Sequence, residues 1–164
     1  MRRNHPACHR NLRVAPGATP PVDALTRSEP TTLSASQTRQ LRCLIIDDSP
    51  RFLGAARRLL EQGGISVVGV GASGDDAVRL ARELRPDVTL VDIDLGEEDG
   101  IAVTRRLAAL ETAPAGDLIL ISTHAEDEFA DLIEASPAIG IVPKAALSAQ
   151  AIVAMTDAHQ ERGP

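Results

Sequence analysis

A short, largely apolar run at residues 88–91, preceded by Pro86 and Asp87 and stopped by Asp92, limits what this 164-residue chain can fold into. A run that short with so little polar alternation reads as a strand covered on both faces, as in a parallel sheet packed between helices. A carboxylate at the end of such a strand is costly to desolvate unless a cation meets it. The carboxyl ends of strands are also where open α/β sheets bind ligands. Asp94-Leu95-Gly96-Glu97-Glu98-Asp99-Gly100 follows, so a plain strand and solvated acidic loop is an equally open reading of this stretch alone.

The surrounding pattern narrows the choice. Residues 41–46 form a second apolar run, ending in Asp47-Asp48. Ser49 then suits an N-cap and Pro50 the first helical position. The helix they open extends to about Gln62, with Phe52, Leu53, Ala56, Leu59 and Leu60 on one side, and Gly63-Gly64 ends it. Residues 65–70 predict a strand. Residues 75–85 predict a helix stopped by Pro86, and a third helix spans 101–110. A strand at 118–121 ends in Ser122-Thr123-His124, a short helix covers 126–135, and a last strand at 139–142 precedes Pro143-Lys144. The final helix spans 147–158. Five strands alternating with five helices predict an α/β, flavodoxin-like (βα)5 domain: a five-stranded parallel sheet with helices on both faces and right-handed crossovers. The domain is expected over residues 41–162. Residues 1–40, with five Pro and no apolar period, read as a disordered N-terminal extension.

Charge and residue usage exclude several functions. Residues 1–40 hold six Arg against Asp23 and Glu29, whereas residues 41–164 hold eleven basic and twenty-one acidic residues. An acidic domain without Trp or Tyr offers neither a basic surface for a nucleic-acid backbone nor a stacking platform, so no direct nucleic-acid binding is expected. No apolar run reaches membrane-span length, and the basic N-terminus lacks the apolar core of a secretory signal. Cys8 and Cys43 are too few for a disulfide framework or a zinc site, and a cytoplasmic setting is expected. Sixteen of the seventeen basic residues are Arg; the exception is Lys144.

Four strand ends carry side chains that could converge: Asp47 and Asp48, Asp92, Ser122 and Thr123, and Lys144. In the flavodoxin-like order, strands one and three flank the switch-point crevice, so three carboxylates would meet there. Such a cluster raises pKa values or recruits a cation, and hard oxygen ligands favour Mg²⁺. Lys144 would add a point charge for a phosphoryl group and Ser122 a hydroxyl donor. An aspartate can itself be the nucleophile and form an aspartyl-phosphate. Each residue also has a plainer role, as helix cap, turn former or surface charge, but their coincidence along one sheet edge favours a joint one.

These residues resemble the receiver domain of two-component response regulators. Leu44-Ile45-Ile46-Asp47-Asp48-Ser49 is similar to that family's first strand and acidic pair, and Asp92 to Gly100 to the segment around its phosphoacceptor. Leu120-Ile121-Ser122-Thr123 resembles its switch hydroxyl segment, and Gly140-Ile141-Val142-Pro143-Lys144 its active-site lysine segment. The resemblance implies that Asp92 accepts phosphate from a sensor histidine kinase. It implies that Asp47, Asp48 and Asp92 hold Mg²⁺ with the backbone carbonyl of Asp94, and that Ser122, Thr123 and Lys144 contact the phosphoryl group or switch. It further implies signalling by protein contact to a downstream protein, possible homodimerisation through the fourth and fifth helices, a stand-alone receiver, and no enzymatic turnover beyond its own phosphotransfer and dephosphorylation. Three positions depart from the family pattern: Gly96 stands where Pro is usual, Ile141 where an aromatic switch residue is common, and Ala145 where many members have Pro.

The residues also suit three other functions. Gly69-Val70-Gly71-Ala72-Ser73-Gly74 matches a dinucleotide fingerprint, with Asp92 eighteen residues on, but it follows the second strand and leaves Asp47-Asp48 and Lys144 without a role. A haloacid-dehalogenase-type phosphatase shares the nucleophilic Asp and Mg²⁺, but places its two-Asp metal motif after the Lys. A degenerate receiver would bind a partner without phosphorylation.

Overall fold

The computed structural model describes residues 40–111, 115–123, 129–134 and 136–163. The expected disordered extension lies outside these residues up to position 39, as does the expected start of the fourth helix.

The elements alternate as expected. They are β1 (Arg42–Ile46), α1 (Pro50–Gln62), β2 (Ser66–Gly71), α2 (Gly74–Leu84), β3 (Val88–Asp92), α3 (Gly100–Ala108), β6 (Asp117–Ser122), α4 (Phe129–Glu134), β7 (Gly140–Pro143) and α5 (Ala149–Arg162). Two short strands unforeseen from sequence, β4 (Asp94–Leu95) and β5 (Glu98–Asp99), form an antiparallel hairpin in the acidic segment. The five long strands pair in parallel in the order β2-β1-β3-β6-β7, the flavodoxin-like (βα)5 sheet.

Strand alternation builds two cores. Leu44, Ile46, Val91, Leu118 and Leu120 face Ala77 and Ala81 of α2 and Val103 and Leu107 of α3. Cys43, Ile45, Val88, Leu90, Ile119 and Ile121 face Ala56 and Leu60 of α1 and Ile152 of α5. Burial on both sides explains why residues 88–91 show so little polar alternation. Thr89 is accommodated because its hydroxyl donates to the Ala115 carbonyl at 2.6 Å.

Local chemistry sets the element ends. Ser49, Ser73 and Ser148 cap α1, α2 and α5, each accepting from the backbone N–H three residues on. Helix α2 ends one residue earlier than expected. Arg85 precedes Pro86, which disfavours the helical region for it, and it takes a left-handed conformation with φ 46°. The last helix begins at Ala149 rather than 147, because Lys144–Ala146 first form a 3-10 turn.

Candidate functional site

Strand register brings the predicted residues together. Ile46 pairs with Val91, so the next residues along each strand, Asp47 and Asp92, fall side by side. Asp92 pairs with Ile121, and Ser122 with Pro143, which sets Ser122 and Lys144 along the same edge. Asp47, Asp92 and Ser122 are buried, whereas Asp48, Asp94 and Thr123 are exposed.

One carboxylate oxygen from each of Asp47, Asp48 and Asp92 lies within 4.8 Å of the other two. The Lys144 Nζ sits 2.7 Å from Asp47 Oδ2 and 2.7 Å from Asp92 Oδ2. It donates a hydrogen bond to Asp92. The contact to Asp47 is an ion pair without hydrogen-bond geometry, and Asp47 Oδ2 is buried with no hydrogen-bond partner. Asp47 Oδ1 accepts from the Ser49 N–H at 2.9 Å, and Asp92 Oδ1 from the Asp94 N–H at 3.4 Å. Burial pushes the Asp92 carboxyl above its ordinary range; the Lys144 hydrogen bond opposes this and the Asp47 charge adds to it. Burial works to lower the Lys144 pKa, but the two carboxylates outweigh it and hold the ammonium above its ordinary value.

This arrangement fits a hard divalent cation. Two carboxylates share one ammonium, a third lies within reach, and the buried Asp47 Oδ2 has that shared ammonium as its one polar neighbour among the described contacts. The donors are all oxygens, the set that Mg²⁺ favours.

Residues not singled out for the site also shape it. A side chain at Gly100 would run into the backbone carbonyl of Asp92, so only glycine lets α3 start this close to Asp92. Gly96 holds φ +62° at the first position of the two-residue hairpin turn, where the chain must turn left-handed. Phe52 lays its ring against Lys144, 4.7 Å from Nζ to the ring centroid. The Asp-Gly spacing was the one available signal for Gly100. Phe52 was legible only as part of the apolar side of α1.

The dinucleotide reading meets a structural obstacle. Its strand is β2, at the sheet edge, and the anion position at the α2 N-terminus is already taken. The Gly74 N–H donates to Glu98 Oε1 at 2.9 Å. Arg106 of α3 holds the same carboxylate at 3.2 Å and Asp75 at 2.6 Å. A cavity of about 240 Å³ surrounds the start of β6, lined by Leu107, Leu118, Ile139 and His159 among others. None of the predicted site residues lines it.

The response regulator receiver domain family matches residues 43–157. The chain is 33% identical over 107 residues to the response regulator GacA of Pseudomonas aeruginosa, covering 65% of this chain and 49% of that protein. It is 35% identical over 106 residues to a protein-glutamate methylesterase/protein-glutamine glutaminase of Alkalilimnicola ehrlichii, covering 64% of this chain and 27% of that protein. The chain thus spans between about a quarter and a half of these two relatives. Among solved structures it is similar to a LuxR-family two-component response regulator from Aurantimonas sp. SI85-9A1, with TM-score 0.63 and 32% identity, covering 73% of this chain and 86% of that one. The signal receiver domain of the putative response regulator NarL from Mycobacterium tuberculosis aligns with TM-score 0.59 and 26% identity, covering 76% of this chain and 98% of that one.

Proposed function

The chain belongs to the response regulator receiver domain family of phosphorelay signalling, and we propose that Asp92 is its phosphoacceptor and a sensor histidine kinase its donor. The observation that carries this reading is the Lys144 ammonium held 2.7 Å from Asp92 Oδ2 and from Asp47 Oδ2 in an acidic cluster. A carboxylate oxygen of Asp92 forms the bond to phosphorus as the phosphorus–nitrogen bond of the donor breaks, and the nitrogen keeps the electron pair. Lys144 moves its charge toward the incoming phosphoryl oxygens, with Ser122 donating its hydroxyl and Thr123 at the switch. Asp47, Asp48, Asp92 and the Asp94 carbonyl would hold Mg²⁺, which supplies charge neutralisation for the transferring group.

The reading makes the chain a phosphoacceptor rather than a turnover enzyme, acting in the cytoplasm beside its donor. Its acidic surplus over residues 41–164 supports output by protein contact rather than through nucleic acid. The face around α4 and α5 is the proposed contact for a downstream protein or a second copy. Both competing chemistries lose support from the order of the motifs and from the Glu98 carboxylate at the α2 N-terminus.

Intact mass after incubation with acetyl phosphate tests the reading. Wild type gains one phosphoryl group in Mg²⁺ and none in EDTA, and Asp92→Asn gains none. Modification of Asp92→Asn to the wild-type level would overturn Asp92 as acceptor. No gain by wild type would favour partner binding independent of phosphate.

A further inference from the structure

The active-site lysine has a third neighbour beyond its two carboxylates. Its ammonium lies over the Phe52 ring, 4.7 Å from the centroid, within the range in which a ring face attracts a cation. The placement of that ring is tied to the acidic pair through the α1 cap. The Phe52 N–H donates to Ser49 Oγ at 3.3 Å, and the Ser49 N–H donates to Asp47 Oδ1 at 2.9 Å. Asp47 Oδ2 returns to Lys144 at 2.7 Å, closing a circuit of four residues.

We propose that Phe52 is a positioning residue for Lys144: its ring face seats the ammonium at the acidic edge, so that the charge is in place when a phosphoryl group arrives. This rests on the reading of Asp92 as acceptor. A third carboxylate in the same place would hold the lysine too strongly to let it turn toward phosphoryl oxygens. An aliphatic side chain would cover the lysine stem but offer the charge nothing. A ring face attracts weakly and with little directional demand, so it keeps hold of the ammonium while the charge swings toward the phosphoryl oxygens, and the attraction persists in the transition state. The plainer role of Phe52, packing against the apolar cluster between the sheet and helices α1 and α5, is real and predicts a different outcome.

The test compares Phe52→Leu, which keeps apolar cover, with Phe52→Tyr, which keeps a ring face. At saturating Mg²⁺ and acetyl phosphate, Phe52→Leu is expected to gain phosphate about two- to thirty-fold more slowly, the rate equivalent of an ordinary cation–π attraction. Its apparent Mg²⁺ affinity stays at the wild-type value and Phe52→Tyr restores the rate. Equal rates in wild type and Phe52→Leu, or equal loss in both variants, would overturn the proposal. Lys144 is the only lysine in the chain, so selective lysine labelling gives one side-chain NMR signal. That signal is expected to carry a ring-current shift in wild type and Phe52→Tyr and to lose it in Phe52→Leu. If wild type takes no phosphate, the acceptor reading falls, and the lysine signal alone decides the seat: no change in Phe52→Leu refutes it.

Discussion

Lys144 stands between two buried carboxylates, with its own side chain mostly covered. Removing one member of a buried ion group strands the others, at a cost of about 3 kcal/mol. Lys144→Met is therefore expected to lower stability by about that amount in EDTA, with the loss shrinking as Mg²⁺ is added, because a divalent cation can replace the missing charge. Urea midpoints followed by far-UV circular dichroism measure both; the chain has no Trp to report by fluorescence. A midpoint unmoved in EDTA would mean that water already relieves Asp47 and Asp92. The charged residues were legible one by one, since a carboxylate or ammonium at the end of an apolar run stands out. Phe52 was not, because an aromatic at helical spacing reads as core and nothing in the chain order puts it beside position 144.

At the scale of elements, the β4–β5 hairpin decides how the segment after Asp92 is held. It pairs Asp94 with Asp99 and Leu95 with Glu98, and Glu98 is tied to the α2 N-terminus and to Arg106. The hairpin has no signature in the sequence, because two-residue strands carry no period and the bonds fixing Glu98 come from residues 24 positions upstream and 8 positions downstream. Gly96 departs from the Pro usual in receivers, and the observed φ of +62° gives a reason: proline is locked near −65° and cannot occupy this turn. Gly96→Pro is expected to destabilise the chain by about 1–3 kcal/mol and to weaken apparent Mg²⁺ affinity, since the Asp94 segment shifts with the turn. Isothermal titration with Mg²⁺ beside a thermal melt checks the pair of effects. An unchanged affinity would mean that the hairpin does not position the Asp94 carbonyl.

Over the whole molecule, the sheet is sealed by two cores, and Cys43 lies fully buried in one of them. Burial pushes its thiol up from an ordinary value of 9.0 to about 12. The folded thiol keeps its proton while the unfolded one ionises, so stability falls as pH rises from about 9 toward 12 and is unaffected by this group below that window. Between pH 8.5 and 10.5 the loss from this group is about 2 kcal/mol. It appears as a steeper decline in urea midpoint for Cys8→Ser than for Cys8→Ser with Cys43→Ala. Equal slopes would show that Cys43 ionises in the folded chain. Among the described residues no helix is long and apolar enough to cross a membrane.

The sequence by itself determined the class of fold and named the candidates for the site. Strand and helix periods, serine caps and glycine stops are local, and they name where elements begin, end and expose a charged residue. Tertiary structure decided everything that depends on register between distant segments. Pairing of Ile46 with Val91 and of Asp92 with Ile121 sets which charges meet. Packing of α1 against the sheet brings Phe52 to Lys144, 92 positions away in the chain, and pairing across Gly96 turns an acidic loop into a braced hairpin. Those contacts answer to distance in space, and only the folded chain defines it.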